Sequence, residues 1–102
     1  RNQLYRETSE GLIENVYMLK ILNMDDREHV YTLEASGIPG IELQMDAREI
    51  RVPAGEVREI IVSLRADEAD LEARSSAVFF DLAATGDPGL RVQQDARFLG
   101  PR

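Results

Sequence analysis

The chain has 102 residues, no cysteine and a net charge of −7, from 19 acidic and 12 basic residues. This length suits one hydrophobic core, so we expect a single domain over residues 1–102. Without cysteine, disulfides, thiolate catalysis and iron–sulfur ligation are excluded within these residues. The negative charge disfavours binding to nucleic acid or to an anionic lipid surface.

The N-terminal stretch "RNQLYRETSEG" has neither an initiator methionine nor the apolar core of a signal peptide. Signal peptides carry a run of 7–15 apolar residues, which is missing here. We therefore expect the chain to be a fragment of a longer protein.

The first long apolar run, "EGLIENVYMLKILNMDD" at residues 10–26, fits three structures. A membrane span needs roughly 20 apolar residues, and Glu14 and Lys20 interrupt this run. A helix would group Ile13, Val16, Tyr17, Ile21 and Met24 on one face. A strand would group Ile13, Tyr17, Leu19 and Ile21, with the two charges opposite. Periodicity alone does not separate these two, but the strand-like segments that follow favour a long central strand.

Two asparagines, Asn15 and Asn23, fall near the ends of this predicted strand, on its core-facing side. Neither begins an N-x-[ST] glycosylation sequence. Asparagine amides at strand ends commonly satisfy backbone groups of turns. We expect both to serve the scaffold rather than a binding site.

From residue 28 onward, apolar and polar residues alternate with a period of two, which is typical of strands with one buried face. Gly/Pro/Asn/Asp clusters that favour turns separate the runs. The stretch "ADEADLEARSS" reads as one or two helical turns with Leu71 beneath them. About seven strands at this spacing predict an all-β, immunoglobulin-like sandwich. The predicted core-facing sets are Tyr31/Leu33/Ala35, Ile41/Leu43/Met45, Ile50/Val52, Ile60/Val62/Leu64, Val78/Phe80/Leu82/Ala84 and Leu90/Val92/Ala96/Phe98 with Gln94.

No catalytic motif is present, and His29 is the single histidine. It lies beside the acidic turn of Asp25 and Asp26, where we expect an exposed, solvated side chain rather than a general base. The acidic groups at residues 25–26 and 67–72 do not follow the EF-hand pattern of calcium ligands. No catalytic or cofactor-binding residue is predicted.

Copper is the one metal for which candidate ligands exist. Copper(I) prefers soft ligands, which Met24 with His29, or Met18 with Met45, could supply. The spacing of Met45 matches a core position, where methionine commonly fills space. A copper site at Met24 and His29 remains a minor alternative.

Two outward-facing strand surfaces are candidates for protein contacts. One surrounds Val16 and Met18 on the first strand, and the other surrounds Phe79 and Asp81 in "VFFDLAA". Exposed apolar residues grouped on one face mark interaction sites more often than isolated ones do.

Four stretches carry a family resemblance: "RNQLYRE", "GLIENVYMLKILNM", "VPAGEVRE" and "ARFLGP". Together they make the chain similar to the C-terminal immunoglobulin-like domain of the FixG/CcoG-type cytochrome c oxidase accessory proteins. The resemblance covers nearly the whole chain. "VPAGE" alone is common in immunoglobulin-like domains, whereas the combination with "IENVYMLKILN" is more specific.

The resemblance implies a bacterial inner-membrane redox protein with several transmembrane helices and a ferredoxin-like iron–sulfur module. Such proteins act in assembly of the cbb-type cytochrome c oxidase and are associated with copper reduction. This domain would follow the last membrane helix and face the periplasm. Iron–sulfur clusters are expected in the parent protein and no cofactor in this fragment.

The predicted function is therefore that of a non-catalytic interaction domain. Its expected partners are the rest of its own chain, and cbb-type oxidase subunits or a copper carrier. Two alternatives stay open: a copper-binding or copper-delivery domain that uses Met and His, and a generic extracytoplasmic β-sandwich binding module.

Overall fold

The computed structural model describes residues 5–87 and 89–101, and in this part of the chain it is a sandwich of eight antiparallel strands. The strands are β1 (Arg6–Glu7), β2 (Leu12–Leu22), β3 (His29–Ser36), β4 (Glu42–Gln44), β5 (Glu49–Val52), β6 (Val57–Asp67), β7 (Ser75–Ala84) and β8 (Arg91–Leu99). The predicted immunoglobulin-like all-β fold is confirmed. The strand number is eight rather than about seven because the two-residue β1 was not predicted.

The strands form two sheets of four. Sheet A has the order β1-β2-β6-β4, and sheet B has the order β5-β3-β7-β8. Strand β2 pairs with β6 along all eleven residues, from Leu12 opposite Asp67 to Leu22 opposite Val57. The first apolar run is therefore a strand, as predicted. Strand β1 pairs only with its first part, at Ile13 and Glu14.

The core lies between the two sheets and follows the predicted alternation. Val62 and Leu64 of β6 are almost fully buried, as are Val78 and Phe80 of β7. Burying one such aliphatic or aromatic side chain contributes about 1.5–3 kcal/mol. The core cluster consists of Ile13, Ile21, Tyr31, Leu33, Ile38, Ile50, Val52, Val62, Leu64, Ala66, Leu71, Val78, Phe80, Ala84 and Phe98.

Three positions depart from the predicted pattern. Val92 and Gln94 of β8 have the parity of the buried Phe98, yet both are exposed, Val92 to 56%. Glu14 faces outward from β2, yet it is buried. The differences on β8 arise at a groove and the one at Glu14 arises at an ion-pair cluster, both described below.

The predicted helical stretch is a single 3₁₀ turn at Glu68–Asp70, whose N-cap Asp67 accepts a hydrogen bond from the Ala69 backbone N–H at 3.0 Å. Leu71 packs beneath it, buried as predicted. Residues 1–4, which include most of "RNQLYRE", and residue 88 of the predicted turn "TGDPG", lie outside the described residues. Within the described ranges, no helix is long and apolar enough to cross a membrane.

Candidate functional site

Asn23 organises the loop between β2 and β3. Its side-chain Nδ2 donates to the carbonyl oxygens of Arg27 at 2.8 Å, Val52 at 3.0 Å and Pro53 at 3.3 Å. Its Oδ1 accepts from the Asp25 backbone N–H at 2.9 Å. The buried amide thus joins this loop to the end of β5, which is the scaffold role predicted for it.

His29 is buried, so the predicted exposed side chain is wrong. Its Nε2 lies 2.9 Å from Oδ2 of Asp25, and its ring packs against that of Tyr31 at a centroid distance of 5.9 Å. The sequence placed His29 next to an acidic turn, and in the fold its ring lies between the Asp25 carboxylate and the Tyr31 ring. This hydrogen bond, followed by the one from the Asp26 backbone N–H, lowers the pKa of Asp25 to about 2.

The copper candidates occupy different environments. Met24 is 85% exposed in the loop between β2 and β3, whereas His29 is the first residue of β3 and its Nε2 already contacts Asp25. Met18 is exposed on the outer face of sheet A, whereas Met45 is half-buried against the core. Among the described residues, no group of three or more His, Cys, Asp or Glu side chains could hold a metal ion. Copper binding through Met24 and His29 stays a prediction.

Asn15 connects the two sheets. Its Nδ2 donates to the Leu99 carbonyl, and its Oδ1 accepts from the Leu99 N–H, both at 2.9 Å. The amide therefore pairs with β8 as a neighbouring strand would. Close by, the Tyr17 hydroxyl donates to the Arg97 carbonyl at 2.9 Å, and burial raises the pKa of Tyr17 to about 12.

Glu14 belongs to an ion-pair cluster that the sequence did not reveal. Arg6 Nε donates to one carboxylate oxygen, and Arg65 Nε donates to the other at 2.9 Å. The hydrogen bond from Arg65 is the main cause that lowers the pKa of Glu14. Arg65 lies 51 positions away in sequence, so no local pattern could have indicated the pair. Every carboxylate oxygen is occupied, which indicates a structural role.

The largest exposed apolar feature is a group on the outer face of sheet A, which we call the apolar stripe. It comprises Val16, Met18, Leu22, Val57 and Ile61, each more than half exposed. Met18 lies opposite Ile61 and Leu22 opposite Val57 in the strand register. Between these two pairs, Lys20 and Glu59 form an exposed ion pair at 3.7 Å.

The second predicted surface is less accessible than expected. Phe79, Asp81 and Ala83 are half-buried on β7, because β3 and β8 flank that strand on both sides. Asp81 accepts a hydrogen bond from Gln93 at 3.1 Å. Of the two predicted surfaces, the one around Val16 and Met18 is the more exposed.

A groove of about 270 Å³ separates the edge of β2 from β8. It is lined mainly by apolar residues, including Leu19, Ile21, Leu82 and Val92. Val92 is exposed because, among the described residues, no strand continues β1 along β2 to cover it. The groove has no cluster of titratable groups that would indicate catalysis.

The fold and sequence agree with one known family. A family model described as "IG-like fold at C-terminal of FixG, putative oxidoreductase" matches residues 1–101. The chain belongs to this FixG C-terminal family. It is thus an immunoglobulin-like domain of the kind found at the C-terminus of FixG.

A solved structure supports the membership in the FixG family. The crystal structure of a FixG-related protein from Vibrio parahaemolyticus is 29% identical in sequence, with a TM-score of 0.82. The match covers 97% of this chain and 87% of that chain. No curated protein matches this chain.

Proposed function

We propose that this chain is a non-catalytic interaction domain of a membrane-bound iron–sulfur redox protein that acts in assembly of the cbb-type cytochrome c oxidase. In this proposal, the domain faces the periplasm of a bacterium and binds an oxidase subunit or a copper carrier. The parent protein supplies the redox chemistry through its iron–sulfur clusters, which this cysteine-free domain has no residues to ligate.

The apolar stripe is the observation that carries the proposal. Five apolar side chains, each more than half exposed, lie on two adjacent strands. Exposed apolar residues grouped on one face mark protein-binding surfaces more often than singly scattered ones do, even though the Lys20–Glu59 ion pair divides this group. The net charge of −7 disfavours an anionic membrane surface as that partner, so a protein surface fits better.

The test replaces Ile61 by Glu in the full-length parent protein and measures the cbb-type oxidase in membranes by its haem spectrum and oxygen consumption. Ile61 is 66% exposed, so the domain tolerates the charge, while a docked partner would have to desolvate it. We expect a large loss of assembled oxidase at unchanged abundance of the parent protein.

The matched control is Arg91→Glu, an exposed position on β8 of the other sheet, which should leave the oxidase at the wild-type level. Normal oxidase in the Ile61→Glu strain would contradict the proposal.

Copper delivery is the second candidate, and the exposure of Met24 favours it because a thioether in solvent is available to copper(I). The burial of His29 and its contact with Asp25 oppose it. Copper(I) titration of the isolated domain, repeated with Met24→Ala, tests this function. Absence of binding by the wild-type domain would exclude it.

A further inference from the structure

A cleft of about 290 Å³, which we call the β5–β6 cleft, separates the first half of β6 from β5. It arises because β4 pairs with β6 only at residues 63–65, after which the chain crosses from sheet A to β5 in sheet B. The residues of this crossing, Met45, Asp46 and Ala47, line the cleft. Strand β1, where the described chain begins, lies at the opposite edge of sheet A. The cleft is therefore formed entirely by described residues.

The edge of β6 that faces the cleft has unpaired backbone groups. Just before β6, the Glu56 carbonyl accepts from the Asn23 N–H on the β2 side at 2.9 Å. Because backbone groups alternate along a strand, the odd-numbered residues of β6 point theirs to the other side. Residues 63–65 meet β4 there, whereas Glu59 and Ile61 meet no strand in the described part of the chain. These two residues therefore offer two N–H and two C=O groups to an added strand.

The floor of the cleft is apolar. Ile50 of β5 is almost fully buried, and Ile60 and Met45 pack half-buried against the core. Successive side chains of a strand point to opposite faces of its sheet. A strand laid along the β6 edge would place every second side chain over this floor, so those side chains should be apolar.

The rim of the cleft is acidic. The exposed carboxylates of Asp46, Glu49 and Glu59 all line it. Among the described residues, Asp46 and Glu49 form no ion pair, and Glu59 pairs with Lys20 only at 3.7 Å with both side chains exposed. Exposed pairs of this kind contribute little, so the three carboxylates remain available to a cationic partner.

The arginines near the cleft do not neutralise this rim. Arg58 also lines the cleft, and its Nη1 donates to the Arg51 carbonyl at 2.9 Å. Arg48 lines the neighbouring groove with Thr32 instead. The lining thus carries three carboxylates and one guanidinium, a net charge of −2. A second copy of this chain would bring the same acidic rim against it, whereas a basic segment is attracted.

We propose that the β5–β6 cleft binds an extended segment of another protein, in which basic and apolar residues alternate, as an added strand beside β6. The backbone groups of Glu59 and Ile61 pair with this segment, in the manner of other proteins that accept a strand at an exposed sheet edge. Its basic side chains lie beside the carboxylates of the rim, and its apolar side chains lie over Ile50. The proposal does not depend on the apolar stripe, to which Ile61 contributes its side chain rather than its backbone.

NMR titration of this chain with the peptide acetyl-Lys-Val-Lys-Val-Lys-Val-amide tests the proposal. Its lysines and valines alternate as proposed, and the same peptide with glutamate in place of lysine is the control. We expect the basic peptide to bind with a dissociation constant below about 1 mM. The acidic peptide should not bind.

Amide hydrogen exchange distinguishes strand pairing from attraction by charge alone. With saturating basic peptide, exchange at Glu59 and Ile61 should slow at least about tenfold, because their N–H groups become paired. Exchange at Ile60 should not change, since Ile60 already pairs with Leu19 of β2. Binding of the peptide without protection at Glu59 and Ile61 would overturn the proposal.

The disrupting variant is Asp46→Lys/Glu49→Lys, which replaces two exposed carboxylates of the rim. We expect it to raise the dissociation constant of the basic peptide about tenfold. The matched control is Glu68→Lys/Asp95→Lys, which changes the net charge equally at exposed positions on the 3₁₀ turn and on β8. It should change the dissociation constant by less than about twofold. Equal losses in the two double variants would contradict the proposal, as would failure of the wild type to bind the basic peptide.

Discussion

Individual polar residues stabilise this sandwich by replacing missing backbone partners. Asn23 serves three carbonyl oxygens and one N–H in the β2–β3 loop, and Asn15 serves both backbone groups of Leu99. A buried backbone group that loses its partner costs about 1–3 kcal/mol, so these two side chains are important for stability.

Replacing Asn23 by Ala should lower the free energy of unfolding by about 2–3 kcal/mol, because the Val52 carbonyl and its neighbours lose their donor. Asn23→Asp should be at least as harmful, since a carboxylate has no N–H to donate. Urea denaturation followed by circular dichroism measures both. Gln44→Ala, an exposed amide on β4, is the control and should change stability by less than about 0.5 kcal/mol. Equal stabilities of Asn23→Ala and Gln44→Ala would contradict this role.

The contact between Asp25 and His29 makes stability depend on acidity. The folded-state pKa of Asp25, about 2, lies below its ordinary value of 3.8, chiefly because of the hydrogen bond with His29. This contribution is complete above the ordinary pKa and is lost as the pH falls from about 4 toward 2. Thermal unfolding of the wild type and Asp25→Asn between pH 5 and pH 2 measures it.

The melting temperature of Asp25→Asn should fall less steeply over this pH range than that of the wild type, although Glu14, whose pKa is also lowered, contributes to the slope in both proteins. Identical slopes would show that Asp25 is not the titrating group.

At the scale of elements, the need for glycine in a turn depends on how closely the turn backbone approaches a neighbouring strand. Gly37, after β3, has a φ of +118°, and a Cβ there would lie 2.6 Å from the Ala77 carbonyl oxygen of β7. Gly55, before β6, has a φ of +69° but open space around it. Both glycines have a left-handed backbone conformation that other residues disfavour, but only at Gly37 would an added side chain also collide with a neighbouring strand. Comparing substitutions at the two positions therefore distinguishes the cost of backbone strain from the cost of steric contact.

Gly37→Ala should destabilise the domain by more than about 2 kcal/mol, since β7 backbone would have to move, whereas Gly55→Ala should cost about 1–2 kcal/mol from the left-handed backbone alone. Chemical denaturation of the two variants gives the comparison. A smaller effect at Gly37 than at Gly55 would mean that the turn after β3 relaxes away from Ala77.

At the scale of the whole molecule, the side of the sandwich between β2 and β8 is only partly closed. Asn15 and Tyr17 reach across to β8 at residues 97–99, and farther along the same side no residue of the described ranges covers the groove. The sandwich is thus held together at one end of these strands and open at the other.

Asn15→Ala should weaken this closure, lowering the free energy of unfolding by about 2 kcal/mol through the unpaired Leu99 backbone. Amide hydrogen exchange should accelerate at Leu99 more than at Val62, which remains paired with Tyr17 in the centre of sheet A. The exchange rates, measured by NMR, would contradict this explanation if Leu99 and Val62 changed equally.

The sequence by itself determined the seven longer strands, most of their buried faces and the family. Alternation with a period of two is a local property, so it correctly predicted the buried faces of β6 and β7 and the strand structure of β2. Asparagines on a core-facing side needed backbone partners, so their scaffold role was predictable as well.

Only the tertiary structure decided features that join distant segments. It buried His29 beside Asp25 and paired Glu14 with Arg65, and it left Val92 exposed at the groove between β2 and β8. These outcomes depend on which strands lie side by side, which the alternation of a single strand does not specify.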